Sequence, residues 1–274
     1  MPVKHFGFQW TEFSETQIKH RASYKDSVRR LIQNCGVPAD WFYGKNVLEV
    51  GCGAGRFTGI LLELGAHVIA MDPTEAIHIN KKNHPNQRIS HVQADICEGP
   101  PFIAEADFVL CYGVIQHLKG RRCGVHNMLK ALKNGGRFSM DTYEWRWRLD
   151  PYNFPKYLWR PITKHLQSKF LLKLIRMYLT AWYPIDTRIK SIPKYGKALS
   201  ALTMIPCYSY PETSLSPEEK REWAILDTFD ALGAEYDKPF TKKGWRRMWE
   251  GMPVRDLDIF RGGNGLIANG MKAP

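Results

Sequence analysis

Gly51, Gly53 and Gly55 fall within five positions of "VLEVGCGAGRFT" (47–58), and Glu49 stands two residues ahead of them. Glycines so spaced permit a tight turn and let a ligand approach the main chain closely. Two further carboxylates follow at similar places: Asp72 closes "HVIAM" (67–71), and Asp95 lies in "QADI" (93–96). Asp72 comes twenty-one positions after Gly51, a place suited to accepting hydrogen bonds from ribose hydroxyls. Asp95 is placed to accept from an adenine amino group, or simply to cap a turn. Glu49 sits in a run otherwise built for burial, where a carboxylate is costly without a donor or a cation. A cationic ligand would satisfy it; a neighbouring main-chain group or Lys45 would do so more simply.

These side chains need elements to hold them. "NVLEV" (46–50), "HVIAM", "ISHVQ" (89–93), "DFVLCY" (107–112) and "GRFSMDTY" (136–143) read as strands, and 56–64, 74–83 and 121–133 between them as helices. Such alternation predicts an α/β fold with a parallel sheet covered on both faces. Ligands of these sheets bind beyond the carboxyl ends of the strands, where the glycine run falls. A glycine turn with Asp72 fits NAD, FAD or S-adenosylmethionine. The dinucleotide fingerprint wants G-x-G-x-x-G, whereas this chain reads Gly51-x-Gly53-x-Gly55 followed by Arg56.

Composition excludes several classes. The first ten residues lack an apolar h-region, so no signal peptide is expected. The most apolar stretch, "FLLKLIRMYLTAWY" (170–183), is short for a bilayer and carries Lys173 and Arg176. Six cysteines show neither C-x-x-C spacing nor scaffold density, which points to a reducing cytoplasm. The histidines have no metal-ligand spacing, and no metal site is expected. The net charge of +12 is local: twelve basic residues against Asp150 and Asp186 place +10 of it between Trp145 and Ser200. That raises anionic partners.

In order and spacing, "VLEVGCGAGRFT", "MDPT" (71–74), "QADI", "DFVLCYGVIQHL" (107–118) and "LKNGGRFSMDTY" (132–143) resemble the class I S-adenosylmethionine-dependent methyltransferases. Flanking "FGFQWTEF" (6–13) and "LDTFDALGAEYDKPFT" (226–241) resemble a bacterial branch that methylates small molecules and surface saccharides; Gly233-Ala234 stand where many members read Ser-Pro. The resemblance implies a mostly parallel, Rossmann-like sheet of seven strands, completed by "VRDLDIF" (254–260) and "GLIANGMK" (265–272) after a helix at 242–250. It implies S-adenosylmethionine as the cofactor. Gly51, Cys52, Gly53 and Gly55 would line its methionine and ribose part, Asp72 would hold the ribose, and Pro73 and Thr74 would lie beside the adenine. Asp95 and the Ile96 amide would read the adenine edge. Cys111 would wall the sulfonium, with Gln116 and His117 at the mouth.

The expected organisation is a lid segment at 1–40, a cofactor-binding core at 41–144, a helical cap at 145–240 and a closing piece at 241–274. Phe8, Trp10 and Phe13 make the lid aromatic, so they are expected to pack over the cofactor or on the outside of the sheet. In the cap, Leu166, Phe170, Leu174, Met177 and Tyr178 read as an apolar stripe. Ser216-Pro217-Glu218-Glu219 reads as a helix start, followed by an apolar face of Trp223, Leu226, Phe229 and Leu232.

His117 reads as a general base for the acceptor, or as a loop-orienting hydrogen-bond partner. Tyr143, Asp227, Asp230 and Tyr236 are alternative or supporting contacts to a hydroxyl-rich substrate, or anchors of the cap. No "NPPY"-type stretch follows the fourth strand, and no cysteine has the context of a cytosine-C5 nucleophile. The leading reading is methyl transfer to an oxygen or nitrogen of a small molecule or saccharide, anionic in view of the cap. That cap also admits peripheral contact with an anionic membrane on its cytoplasmic face. A nucleic-acid methyltransferase and a cofactor-binding protein without catalysis are the alternatives.

Overall fold

Seven strands pair into one sheet in the order β3-β2-β1-β4-β5-β7-β6. They are β1 (Asn46–Val50), β2 (His67–Asp72), β3 (Ile89–Gln93), β4 (Ala106–Cys111), β5 (Leu132–Thr142), β6 (Val254–Gly262) and β7 (Gly265–Lys272). β1 to β5 are mutually parallel, and β7 runs antiparallel to both β5 and β6. The computed structural model describes residues 4–16, 18, 22–145, 154–210 and 215–274. Within these, 18–145 and 236–274 form a sheet unit, and 4–16 and 154–235 a helical unit.

The sheet unit holds α2 (Ala22–Asn34), α3 (Thr58–Glu63), α4 (Ala76–Asn83), α5 (Arg121–Ala131) and α10 (Lys242–Met248). Strand alternation sorts its core into two layers. Leu48, Val50, Val109, Cys111, Phe138 and Met140 join Trp245 and Trp249 on one face. Val47, Phe108 and Leu110 join Phe42, Ile60 and Leu61 on the other. Trp249 stacks on Phe138 with centroids 4.8 Å apart, which anchors the antiparallel edge. The helix expected from residue 56 begins at Thr58, because Arg56 and Phe57 are still in the turn. The helix expected to 133 ends at Ala131, where the chain enters β5.

The helical unit comprises α1 (Lys4–Glu12), α6 (Phe154–Thr163), α7 (Ser168–Lys190), α8 (Gly196–Leu202) and α9 (Pro217–Gly233). Phe13, Leu171, Leu172, Ile175, Leu179, Leu226, Phe229 and Leu232 make its core. The expected α7 stripe is displaced by a fraction of a turn. Leu171, Leu172, Ile175 and Leu179 are buried, whereas Phe170 and Met177 are 56% and 65% exposed. Two apolar faces overlap on this helix, and packing against α9 selects the other one.

α9 starts as its sequence predicts. The Ser216 hydroxyl accepts from the Glu219 amide, and Glu219 accepts from the Ser216 amide, a closed capping box. Its last turn meets α1, where His5 stacks on Phe229 at 4.2 Å. Gly233 lies so close to the His5 ring that a Cβ there would overlap it. That contact is the physical reason for glycine where the resemblance leads one to expect serine. Asp186 is the buried polar centre of the unit: it accepts from Ser200 at 2.5 Å and Ser209 at 2.6 Å and pairs with Lys190 at 2.9 Å. Arg146, Trp147, Arg148, Asp150 and Tyr152, counted in the basic, aromatic cap, lie outside the described residues.

Candidate active site

The glycine turn leaves β1 at the sheet's topological switch, where β1 lies between β2 and β4. Gly51, Gly53 and Gly55 all take positive φ, at 72°, 51° and 104°. Gly51 and Cys52 both donate their amides to Met71 O, at 2.7 and 3.1 Å, which pins the turn to the end of β2. A Cβ on Gly51 would overlap Val114, and one on Gly55 would overlap the His84 ring. The glycines therefore make room for the protein's own side chains as well as for a ligand.

Asp72 is buried at the end of β2. It accepts from the Gly53 amide at 3.1 Å, the Thr74 amide at 2.9 Å and the Thr74 hydroxyl at 2.6 Å. These bonds fix its carboxylate beside the turn; burial raises its pKa, and the hydrogen bonds oppose the rise. Pro73 is half-buried in the same turn.

Glu49 finds a donor rather than Lys45, which lies over the Trp41 ring. The Thr58 hydroxyl donates to it at 2.6 Å, Asn80 donates to Thr58 at 2.8 Å, and His91 lies 3.2 Å from the Asn80 oxygen. Burial pushes the Glu49 pKa up to about 8, with Asp72 adding to the rise. Cys52 shares this surrounding and its thiol is pushed up by burial, as is that of the fully buried Cys111. Neither has the character of a nucleophile.

Asp95 uses one oxygen to accept from the Cys97 amide at 2.8 Å, the turn-capping role. Ile96 is buried beside it, its carbonyl accepting from Asn127 at 2.8 Å. After β4, Gln116 is fully buried. Its Oε1 lies 3.4 Å from the Tyr143 amide and its backbone carbonyl accepts from Lys238 at 3.0 Å, whereas its Nε2 meets no partner among the described residues.

His117, Tyr143 and Tyr236 come together. The His117 Nδ1 donates to Tyr236 O at 2.6 Å, and its ring meets Tyr143 edge-on at 5.6 Å. A carbonyl acceptor assigns the hydrogen to Nδ1, so in the neutral ring Nε2 is the basic nitrogen. Trp10, Asp227 and Asp230 belong to the helical unit. Trp10 is half-buried on α1. Asp227 accepts from Tyr210 at 2.5 Å and from the Trp223 indole at 3.0 Å, within that unit. Asp230 is half-buried one turn before the end of α9, its carbonyl accepting from the Ala234 amide at 3.3 Å.

The sequence reading missed an ion pair at this end of the sheet. Asp141, buried on β5, accepts from Arg30 of α2 at 2.5 Å and from the Gly113 amide at 2.5 Å. Arg30 also lies over the Phe57 and Tyr112 rings, 5.6 and 5.5 Å from their centroids. Asp141 carries the signal that singled out Glu49, a carboxylate in a run built for burial.

Residues 48–140 match the methyltransferase domain family. The chain is 30% identical over 107 residues to the mitochondrial ubiquinone biosynthesis O-methyltransferase of Schizosaccharomyces pombe, covering 37% of this chain and 39% of the relative. It is 30% identical over 108 residues to the ubiquinone biosynthesis O-methyltransferase of Erwinia tasmaniensis, covering 38% of this chain and 44% of the relative. The match thus spans about two fifths of each relative's length. The structure resembles that of a Burkholderia thailandensis 1,6-didemethyltoxoflavin-N1-methyltransferase bound to 1,6-didemethyltoxoflavin and S-adenosylhomocysteine. The TM-score is 0.51 at 14% identity, with 100% of this chain and 91% of that one covered. The β3-β2-β1-β4-β5-β7-β6 sheet with its glycine turn is a Rossmann-like fold of the class I methyltransferase type, and residues 48–140 within it match the methyltransferase domain family.

Proposed function

We propose that the chain transfers a methyl group from S-adenosylmethionine to an oxygen or nitrogen of a small-molecule or saccharide acceptor. One observation carries the reading. Two buried carboxylates, Glu49 and Asp72, flank the glycine turn, and neither forms an ion pair with a side-chain cation among the described residues. A ligand that brings ribose hydroxyls to Asp72, and a positive charge that favours the ionised form of Glu49, fits this arrangement.

The cofactor supplies a methyl group made electrophilic by its sulfonium. Asp72 holds the ribose hydroxyls with the lone pairs left by its three donors. The second oxygen of Asp95 and the Ile96 amide read the adenine, with Pro73 and Thr74 beside it. Gly51, Cys52, Gly53 and Gly55 form the floor, Cys111 the apolar wall, and Gln116 Nε2, without a partner among the described residues, a donor to the ligand. In-line displacement at carbon needs mainly alignment and dryness. An acceptor hydroxyl needs a base as well, and His117 Nε2 takes that proton, with Tyr143 and Tyr236 beside it.

The role of the matched relatives in ubiquinone biosynthesis favours a small-molecule acceptor. The basic helical unit favours an anionic one, taken up in the cytoplasm or at an anionic membrane face. The same charge favours RNA as a second reading, since basic and aromatic side chains also hold single strands.

Calorimetry with S-adenosylhomocysteine, followed by its release in assays on phenolic metabolites, acidic saccharides and RNA, tests the proposal. Cofactor binding with turnover on a metabolite or saccharide is expected. Turnover on RNA alone would move the reading to the second acceptor class, and no cofactor binding would overturn it.

A further inference from the structure

α6 wears its amphipathicity inside out. Its buried positions are Pro155, Lys156, Arg160 and Thr163. Arg160 donates to the carbonyls of Ala231, at 3.0 Å, and Ala234, and Thr163 donates to Leu232 at 2.8 Å. The polar face of α6 thus satisfies main-chain carbonyls at the end of α9, which a helix leaves without intrahelical partners. Its apolar face points outward. Phe154, Leu158 and Ile162, spaced by four, are 38%, 48% and 65% exposed, and Trp159 beside them is 44% exposed. A helix on a water-facing surface ordinarily does the reverse.

The apolar surface continues past α6. The Trp159 indole donates to Met204 O at 2.7 Å, joining α6 to the end of α8, where Leu199, Leu202 and Met204 are also exposed. Of fifteen exposed large hydrophobic residues among those described, twelve lie between 154 and 204, so the feature is local rather than a general property of the surface. Positive charge shares that stretch. Lys164, Lys169, Lys173, Arg176, Arg188, Lys194 and Lys197 are exposed, and Asp186, its one acidic residue, is buried.

We infer that the outer face of α6, with the end of α8, seats on an anionic membrane surface. Such a surface offers apolar depth for Leu158 and Ile162, an interfacial layer for Trp159, and negative headgroups for the lysines and arginines. A second copy of the same face would bring like charges together. No described helix is long and apolar enough to cross a membrane, so the contact lies on the bilayer plane. This assigns the membrane contact proposed above to named residues and does not depend on cofactor binding.

The 274-residue chain is sedimented with vesicles of pure phosphatidylcholine and of phosphatidylcholine with phosphatidylglycerol, beside the variant Leu158→Glu/Ile162→Glu. Both positions are exposed, so circular dichroism is expected to match wild type. Calorimetry with S-adenosylhomocysteine is run on the same samples, so a failed cofactor reading shows there and a failed membrane reading shows in the pellet. Wild type is expected to pellet with the anionic vesicles at least tenfold more than with the neutral ones, and the variant to lose at least tenfold of that binding. Equal pelleting with both vesicle types, or a variant that binds as wild type does, would overturn the inference. So would a wild-type dimer in light scattering that the variant converts to monomer, which would give the face to a second copy.

Discussion

Arg30 of α2 and Asp141 of β5, 111 residues apart in sequence, meet 2.5 Å apart at the carboxyl end of the sheet. The pair ties α2 to the loop after β4, because the same carboxylate accepts from the Gly113 amide. Replacing Arg30 by Met strands a buried carboxylate and is expected to cost about 3–5 kcal/mol. Arg30→Met/Asp141→Asn is expected to recover much of that loss, measured by urea denaturation of both variants.

Asp72→Ala removes the acceptor for two main-chain amides and a hydroxyl as well as the proposed ribose contact. Losing it is expected to weaken S-adenosylhomocysteine by about 1–3 kcal/mol, read by titration calorimetry. Binding as tight as wild type would remove Asp72 from the cofactor site.

Glu49 makes stability depend on pH. Its folded pKa, about 8, stands above its unfolded value, so the folded state holds the extra proton between them. The stabilisation is full below the unfolded pKa and is lost as pH rises through about 8. Glu49→Gln keeps the neutral shape and is expected to flatten that decline, seen in melting temperatures from pH 5 to 9. A cationic ligand favours the ionised form, so cofactor binding is expected to release protons near pH 7. Calorimetry in two buffers of different ionisation enthalpy measures that release.

His117→Ala is expected to slow turnover on a hydroxyl acceptor by about 10²–10⁴-fold, measured by S-adenosylhomocysteine release at saturating substrates. If turnover is unchanged at saturating substrate, positioning alone is the catalyst.

Gly233→Ser places a side chain where the His5 ring stands on Phe229. Overpacking of this kind is expected to cost about 1–3 kcal/mol. Adding His5→Ala restores the space, and thermal denaturation of the single and double variants reads the difference.

β1, β2 and β4 were legible because each is short, apolar and bounded by turn residues, and the capping box of α9 because its signature is local. Asp72 and Glu49 stood out as carboxylates at odds with their surroundings. Asp141 had the same mark within "GRFSMDTY", but its partner Arg30 sits on a helix whose sequence reads as an ordinary charged surface. Pairings that distant leave no local pattern. The α7 stripe failed for another reason: apolar residues occupy two overlapping faces, and only the neighbouring helix decides which is buried.

α1 packs against a part of the chain made long after it. Thr16 donates to Glu222, 206 residues further on. At about 5–20 residues per second, roughly 10–40 s of synthesis separate α1 from its partner on α9. During that interval Phe8 and Phe13 leave the ribosome without the Phe229 they later pack against. The helical unit is therefore completed only after translation has passed α9, and until then Phe8 and Phe13 lack the ring that closes their core.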